Sequence, residues 1–318
     1  MIAKTKDDKS QFPQKPPSAS VTKVKQLLRN SDENRAIHDY SEVYRRRLGF
    51  GFWISMGWTV LIALVAALAP ILPIADPEQI GVGDRLEPPS WENWLGTDTN
   101  GRDMFSRTIW GSRVSLVVGF VALGVGFLVG GTIGVLAGFF RGITDRLSMS
   151  LVFVLLSFPG LALALLIVGV MGRSLAVVSF VLSLTVIAPV ARLARATTMS
   201  FVERDFVSAA RVLGATNGRI MVKEILPNVL IPMSALSLLG LGLTIVGEGA
   251  LAYLGVSVVD GFSWGKMIQL GASPRTLAAG PWVAFVPIGA MFLTVLSLNF
   301  AGDRLREYFD VREVGIGN

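Results

Sequence analysis

Residues 114–139 read VSLVVGFVALGVGFLVGGTIGVLAGF, a run without a charged side chain. A helix needs about 20 apolar residues to cross the hydrocarbon layer of a membrane, so this run is long enough to span it. Further apolar runs of similar length lie on both sides of it. Together they give six predicted spans: Phe52–Leu72, Val114–Phe139, Leu147–Met171, Leu175–Ala191, Val229–Leu251 and Trp282–Ala301. The sequence therefore predicts an all-α membrane protein with six transmembrane helices.

The composition agrees with this class and excludes several kinds of chemistry. Of the 318 residues, 52% are hydrophobic and only 16% are charged, which is too apolar for an ordinary water-soluble domain. There is no cysteine and only one histidine, His38, which excludes cysteine nucleophiles and metal sites built from thiolates or several histidines. The ATP-binding pattern G-x-x-x-x-G-K-[ST] is also missing. We therefore predict that this chain is not an enzyme and binds no cofactor or metal itself.

Lys and Arg are unevenly distributed between the two sides of the predicted spans. If the N-terminus lies inside the cell, the inner segments hold 22 of the 29 Lys and Arg residues and the outer segments hold 7. Cytoplasmic loops of membrane proteins carry the excess of positive charge. Both termini are therefore predicted to be cytoplasmic.

This orientation divides the chain into three parts. Residues 1–50 form a basic cytoplasmic tail, 51–302 form the transmembrane domain, and 303–318 form a cytoplasmic C-terminal tail. Within the transmembrane domain we expect two outer loops and one long cytoplasmic loop, at 73–113, 252–281 and 192–228 respectively.

Glycine and proline positions carry information on how the helices pack. Four glycines recur every four residues along the second span: Gly126, Gly130, Gly134 and Gly138. Such a stripe lets another helix approach closely, and we expect it to pack within the chain rather than to form a homodimer. Pro159 and Pro189 lie in the third and fourth segments, where each removes a backbone hydrogen bond and favours a kink.

One ionisable residue, Glu248, lies inside a predicted span, late in the fifth segment. Ion-coupled transporters and channels place such residues at membrane depth, because burying them is costly where they have no task. A single carboxylate near the end of a helix is weak evidence for proton coupling. We interpret Glu248 as a candidate for the pathway or a subunit interface, with an interhelical hydrogen bond as a further alternative. A stand-alone secondary transporter or channel remains the competing interpretation of the whole chain.

The longest predicted cytoplasmic loop contains a short amphipathic helix. Phe206, Ala209, Ala210 and Leu213 follow the i, i+3, i+4, i+7 spacing of one helical face. Gly214 then provides a C-terminal stop, since glycine tolerates a positive φ. The small alanine side chains favour close docking against a protein surface over insertion into lipid.

The segment before the second span has helix-starting and turn signals. Thr97 or Asp98 is expected to cap a helix, and Asn100–Gly101 is expected to turn the chain.

Three separated motifs resemble one family of transport proteins. Ser208–Ala209–Ala210 with Gly214, followed by Ile225–Leu226–Pro227, resembles the cytoplasmic EAA loop of ABC-importer permeases, although Ser208 replaces the glutamate of that motif and Glu224 replaces its isoleucine. Residues 94–107, WLGTDTNGRDMFSR, resemble the segment before the second span in the C-type permeases of dipeptide, oligopeptide and nickel importers. Glu248–x–x–Leu251–x–x–Leu254–Gly255 and Ser263–Trp264–Gly265 resemble the fifth span and outer loop of the same family.

This resemblance implies a type I ABC importer permease in the bacterial plasma membrane, in contact with membrane lipid but not nucleic acid. Its partners would be a second homologous permease, two ABC ATPase subunits that hydrolyse ATP, and an extracytoplasmic substrate-binding protein that delivers solute, with short peptides as the expected substrate class. The loop helix would then be the coupling helix that docks in an ATPase subunit. The coupling residues implied are Phe206, Ser208, Ala209, Ala210, Leu213 and Gly214.

Overall fold

The computed structural model describes residues 48–259 and 261–316. The described chain is almost entirely helical and contains no β-strand beyond one isolated bridge between Thr97 and Asp103. The α-helices are α1 (Gly49–Leu68), α2 (Met104–Phe140), α3 (Gly142–Ser157), α4 (Gly160–Met171), α5 (Leu175–Val202), α6 (Asp205–Val212), α7 (Asn217–Arg219), α8 (Leu226–Tyr253), α9 (Trp264–Gly271), α10 (Pro274–Ala279) and α11 (Trp282–Ile316). A 3₁₀ turn, Ala69–Ile71, extends α1, and a π-helical turn, Ile220–Ile225, joins α7 to α8.

Five continuous helical segments are long and apolar enough to cross a membrane: Gly49–Ile71, Met104–Phe140, Leu175–Val202, Asn217–Tyr253 and Trp282–Phe309. They coincide with five of the six predicted spans. The predicted third span, Leu147–Met171, is not one straight helix, because α3 and α4 meet at an angle of 85°. Pro159 explains the break: it disfavours helical geometry at the residue before it, and Phe158 is extended, with φ −94° and ψ 133°. The described chain therefore has five helices that could cross a membrane, or six candidates if the bent pair counts as one span.

The closest helix pair is α2 with α5, and the glycine stripe lies at its contact. A Cβ atom on Gly130 would lie only 2.5 Å from the Ile187 carbonyl oxygen, and one on Gly134 would collide with the Ala191 carbonyl oxygen. Contacts advance along both chains in the same direction, so the two helices run parallel. The prediction that this stripe packs within the chain is confirmed, since only glycine leaves room for backbone contact of this kind.

The second and fourth spans begin or end at places that hydropathy did not indicate. Helix α2 begins at Met104 rather than Val114, and the Asp103 carboxylate caps it by accepting hydrogen bonds from the Phe105 and Ser106 amides. The prediction of a cap at Thr97 or Asp98 is therefore wrong. Helix α5 continues without interruption past Pro189 to Val202. Both extensions contain arginines, which lower hydropathy without preventing helix formation.

Asp98 is instead part of the turn before α2. Its carboxylate accepts hydrogen bonds from the Asn100 amide at 2.7 Å and the Arg102 amide at 3.0 Å, while Gly101 turns the chain with a φ of +73°. The predicted turn at Asn100–Gly101 is thus confirmed. A short polar side chain that bonds its own following backbone stabilises a turn rather than a helix start.

Candidate functional site

Helix α6 is a two-turn helix with a complete C-terminal stop. Asp205 lies in its first turn and Arg211 in its last, where each complements the helix dipole. The Ala215 amide donates to the Ala210 carbonyl and the Gly214 amide donates to the Arg211 carbonyl, both at 3.0 Å. With a φ of +81° at Gly214, these two bonds form a Schellman motif. The predicted stop at Gly214 is confirmed.

One face of α6 is attached to the transmembrane helices. Val207 is fully buried in an apolar cluster, and Ala210 and Ala215 pack partly buried against the same cluster. We call it the α6 anchor cluster; its buried members come from α2, α5, α6, the π-helical turn and α8: Val135, Phe139, Val190, Ala194, Phe201, Val207, Ile220, Ile225, Val229 and Met233. Val207 was not among the predicted residues, although its spacing of three from Ala210 indicates a second apolar row.

The opposite face of α6 is exposed. Of the predicted docking residues, Phe206, Ser208, Ala209, Leu213 and Gly214 are exposed, whereas Ala210 faces the bundle. Val212 and Leu213 at the tip are 87% and 86% exposed. The predicted face is therefore divided: Ala210 contributes to attachment, and the remaining residues surround an apolar tip that nothing in the described chain covers.

Glu248 is fully buried near the end of α8, at the opposite end of the bundle. Its carboxylate accepts hydrogen bonds from the Ser115 hydroxyl of α2 at 3.1 Å and from the Ser257 hydroxyl at 2.8 Å. The Ser115 oxygen in turn accepts a bond from the Trp264 amide at 3.2 Å. We call Ser115, Glu248, Ser257 and Trp264 the Glu248 cluster. The bond to Ser115 is the interhelical hydrogen bond that was one of the alternatives, and the carboxylate does not lie on the surface of this chain.

Trp264 connects this cluster to the start of α2. The side chain is fully buried, and its indole N–H donates to the Thr108 carbonyl at 2.9 Å. The next residue, Gly265, lies against α8, where a Cβ would come within 2.6 Å of both the Gly249 Cα and the Ala252 Cβ. The two segments that resemble the family's fifth span and outer loop thus meet in one buried contact, which also reaches the first turns of α2.

A second buried charge supports the same end of the molecule. Arg107, only 2% exposed, donates to the Pro77 carbonyl at 2.9 Å and lies 3.7 Å from an Asp98 carboxylate oxygen. Its guanidinium also stacks over the Phe262 ring, 4.1 Å from the centroid. These contacts attach both outer loops to α2, because a buried guanidinium needs an anion and several acceptors.

Comparison with known proteins decides the family. The model of the family described as "Binding-protein-dependent transport system inner membrane component" matches residues 130–314. The chain belongs to this family. The permease is 36% identical to the dipeptide transport system permease protein DppC of Alkalihalophilus pseudofirmus, over 78% of this chain and 81% of that protein. It is 35% identical to the glutathione transport system permease protein GsiD of Pectobacterium atrosepticum, over 85% of this chain and 90% of that protein.

A solved structure shares the permease's fold. A chain of the MetNI methionine ABC transporter, in an inward-facing conformation, aligns with a TM-score of 0.53 at 21% sequence identity, covering 66% of this chain and 97% of that one. This match shows the fold alone. The family and the two relatives make the chain a multi-pass permease subunit of an ABC importer in the bacterial inner membrane. Such a permease works with ATPase and binding-protein partners. The alternative of a stand-alone secondary transporter or channel has no support from these comparisons.

Proposed function

We propose that this permease forms half of the translocation pathway of an importer for short peptides. The proposed complex contains a second, homologous permease, two ABC ATPase subunits and an extracytoplasmic substrate-binding protein. The substrate class rests on the relatives, whose names refer to dipeptide, glutathione and peptide transport. ATP is hydrolysed by the partner subunits and not by this chain.

The observation that carries the coupling proposal is the divided surface of α6. An apolar tip at Val212 and Leu213 would be exposed to water on an isolated permease, and apolar surface of this kind is stabilised when a partner covers it. We assign the tip, with Phe206, Ser208, Ala209 and Gly214, to contact with an ATPase subunit. In this assignment Ala210 holds the helix on the bundle.

The buried face of α6, which carries Val207, explains how movement of α6 would reach the pathway. Val207 is packed among residues of α2, α5 and α8, so α6 cannot shift without displacing side chains of three spans. ATP-driven closure of the ATPases would move α6, and the anchor cluster would transmit that movement to the spans. The expected result is alternating access of the pathway to the two sides of the membrane.

We also propose the boundaries predicted from the sequence: cytoplasmic tails at 1–50, most of which lies outside the described residues, and at 303–318, with the transmembrane domain at 51–302. Within that domain, 192–228 is the proposed coupling loop, and 73–113 and 252–281 are the proposed outer loops. The first part of the coupling loop is the cytoplasmic extension of α5.

Cysteine labelling tests the proposed orientation without background, because the sequence has no cysteine. Single cysteines are introduced in place of Ser90, Ser150, Ser208 or Ser273 and treated with an impermeant maleimide in intact cells. The first and last should be labelled from outside, and the two middle ones only after permeabilisation. Labelling of position 208 in sealed cells would refute the orientation and the docking proposal with it.

Substitution at the tip tests the coupling proposal. Leu213→Asp places a charge on a side chain without intramolecular packing, so the permease should fold normally and lose retention of the ATPases. The measurement is the amount of ATPase on an affinity-tagged permease, together with ATP-driven uptake of a radiolabelled dipeptide in vesicles. The matched control is Val259→Asp, since Val259 is also apolar and 62% exposed but lies at the other end of the molecule. Native ATPase retention and native uptake in Leu213→Asp would exclude the tip as the docking surface.

A further inference from the structure

A cavity of about 770 Å³ lies between α3 and α5, on the same side of the bundle as α6. Its α3 wall carries Arg146, Met149 and Phe153, which follow helical spacing on one face. Its α5 wall carries Pro189 and Arg192 among others. The cavity therefore has charged and apolar lining residues on both helices.

The charged residues lie toward the end of the cavity that is proposed to face the cytoplasm. Helix α3 begins at this end and α5 ends there, and Asp145 pairs with Arg195 across the two helices. Arg146 therefore lies near the mouth, Arg192 lies about one helical turn further in than Arg195, and Phe153 lies deeper on the α3 wall. From Arg146 to Phe153 the α3 wall rises by about 10 Å, at roughly 1.5 Å per residue. The lining thus changes from cationic to apolar in the direction of the membrane interior.

Two further arginines at this end already have anionic partners. Arg195 forms a two-bond ion pair with Asp145 inside the cavity, and Arg141 donates to Glu203 at 2.7 Å. Arg146 and Arg192 are exposed, and neither has a carboxylate partner among the described residues. The mouth of the cavity therefore carries two positive charges that the described fold does not neutralise.

We propose that this cavity binds an anionic phospholipid, with its phosphate between Arg146 and Arg192 and an acyl chain along the deeper apolar wall. Basic pockets between transmembrane helices at the membrane surface suit anionic headgroups, and planar guanidinium groups bind phosphate through paired hydrogen bonds. The apolar wall distinguishes a lipid from free phosphate, because Phe153 is 57% exposed and needs an apolar neighbour. The Asp145–Arg195 pair fixes the spacing of the two helices and leaves only the unpaired arginines to attract the lipid.

The test uses the purified permease–ATPase complex in lipid nanodiscs, titrated with phosphatidylglycerol and with phosphatidylcholine. Bound lipid is counted by native mass spectrometry. The double substitution Arg146→Gln with Arg192→Gln should weaken phosphatidylglycerol binding about tenfold or more and leave phosphatidylcholine binding unchanged. The matched control is Arg85→Gln with Arg275→Gln, which removes two exposed arginines from the other end and should alter neither.

Several results would overturn the proposal. The first is that the double variant retains as much phosphatidylglycerol as the native complex. The second is that the native complex binds the two lipids equally. The third is that millimolar inorganic phosphate displaces the lipid. Loss of ATPase in place of lipid would assign the arginines to a protein partner instead. The experiment counts bound lipid and does not measure transport. The lipid proposal can therefore fail while the proposed function stands, and the proposed function can fail while the lipid proposal stands.

Discussion

The two ends of the bundle are built on different principles. At the Glu248 cluster, a buried carboxylate, two hydroxyls and a backbone amide are hydrogen-bonded to one another, and the buried Trp264 indole donates to the Thr108 carbonyl. At α6, one fully buried side chain, Val207, and two partly buried alanines attach a short helix whose apolar tip is uncovered. The Glu248 carboxylate and its two hydroxyl donors are satisfied within the chain, whereas the tip of α6 leaves apolar surface exposed for another molecule to cover. Substitutions should therefore affect folding at one end and coupling at the other.

The largest effect is expected for Trp264→Ala. The indole is fully buried and donates to the Thr108 carbonyl, so its removal leaves a cavity and takes away that hydrogen bond. We expect the free energy of unfolding to fall by about 3–5 kcal/mol. Thermal unfolding of the detergent-solubilised permease measures this. Trp91→Ala serves as the control because Trp91 is 96% exposed. Equal melting temperatures of the two variants would contradict the difference in burial between the two side chains.

A smaller loss is expected for Gly265→Leu. Any side chain there meets Gly249 and Ala252 of α8, and overpacking of this kind costs about 1–3 kcal/mol. At the other end, Gly218 has open space around it, so Gly218→Leu should fold like the native protein. The yield of monodisperse protein in size-exclusion chromatography compares the two. A well-folded Gly265→Leu permease would show that the outer end is less tightly packed than described.

Two substitutions of Glu248 distinguish a structural role of its carboxylate from a role in ion coupling. Glu248→Ala leaves the Ser115 and Ser257 hydroxyls without their acceptor and should cost about 1–3 kcal/mol. Glu248→Gln keeps an acceptor of the same size, so stability and uptake should stay near native. Uptake by the native importer in ATP-supplied vesicles should also survive collapse of the proton gradient. If Glu248→Gln folds but does not transport, and native uptake follows the gradient, the carboxylate has a role in coupling.

The smallest change in stability, about 1–2 kcal/mol, is expected for Val207→Ala, which removes two buried methyl groups. The functional effect of Val207→Ala should differ from that of Leu213→Asp at the tip. ATPase subunits should remain bound, because the exposed surface is unchanged, while ATP hydrolysed per dipeptide imported should rise. Val259→Ala is the control for loss of the same atoms from an exposed position outside the proposed docking surface, since Val259 is 62% exposed. Unchanged stoichiometry in Val207→Ala would remove the anchor cluster from the transmission route.

Much of the fold could be predicted because hydropathy and glycine spacing are local signals. Five spans, the intramolecular glycine stripe and the stop at Gly214 follow from them. The angle between α3 and α4 could not be predicted, since both halves are apolar and Pro159 indicates a break without its size. The start of α2 was missed because arginines lower the hydropathy of its first turns.

The position of helix α6 could be predicted from the sequence, but its orientation on the bundle could not. Sequence spacing defined a face of α6 that included Ala210, yet the direction of that face depends on how α6 meets the α6 anchor cluster, whose members come from distant segments. Val207 is buried for this reason. The hydrogen-bond partners of Glu248 could not be predicted either, because Ser115 is 133 positions away in the chain.

The backbone contact between α2 and α5 has a mechanical consequence. Along the glycine stripe no layer of side chains separates the two helices, so there are no rotamers whose rearrangement could absorb a displacement. Over the stripe from Gly126 to Gly138, which rises by about 18 Å at roughly 1.5 Å per residue, the pair should bend and tilt as one stiff element. A displacement of α5 next to α6 would then be carried along this length with little attenuation.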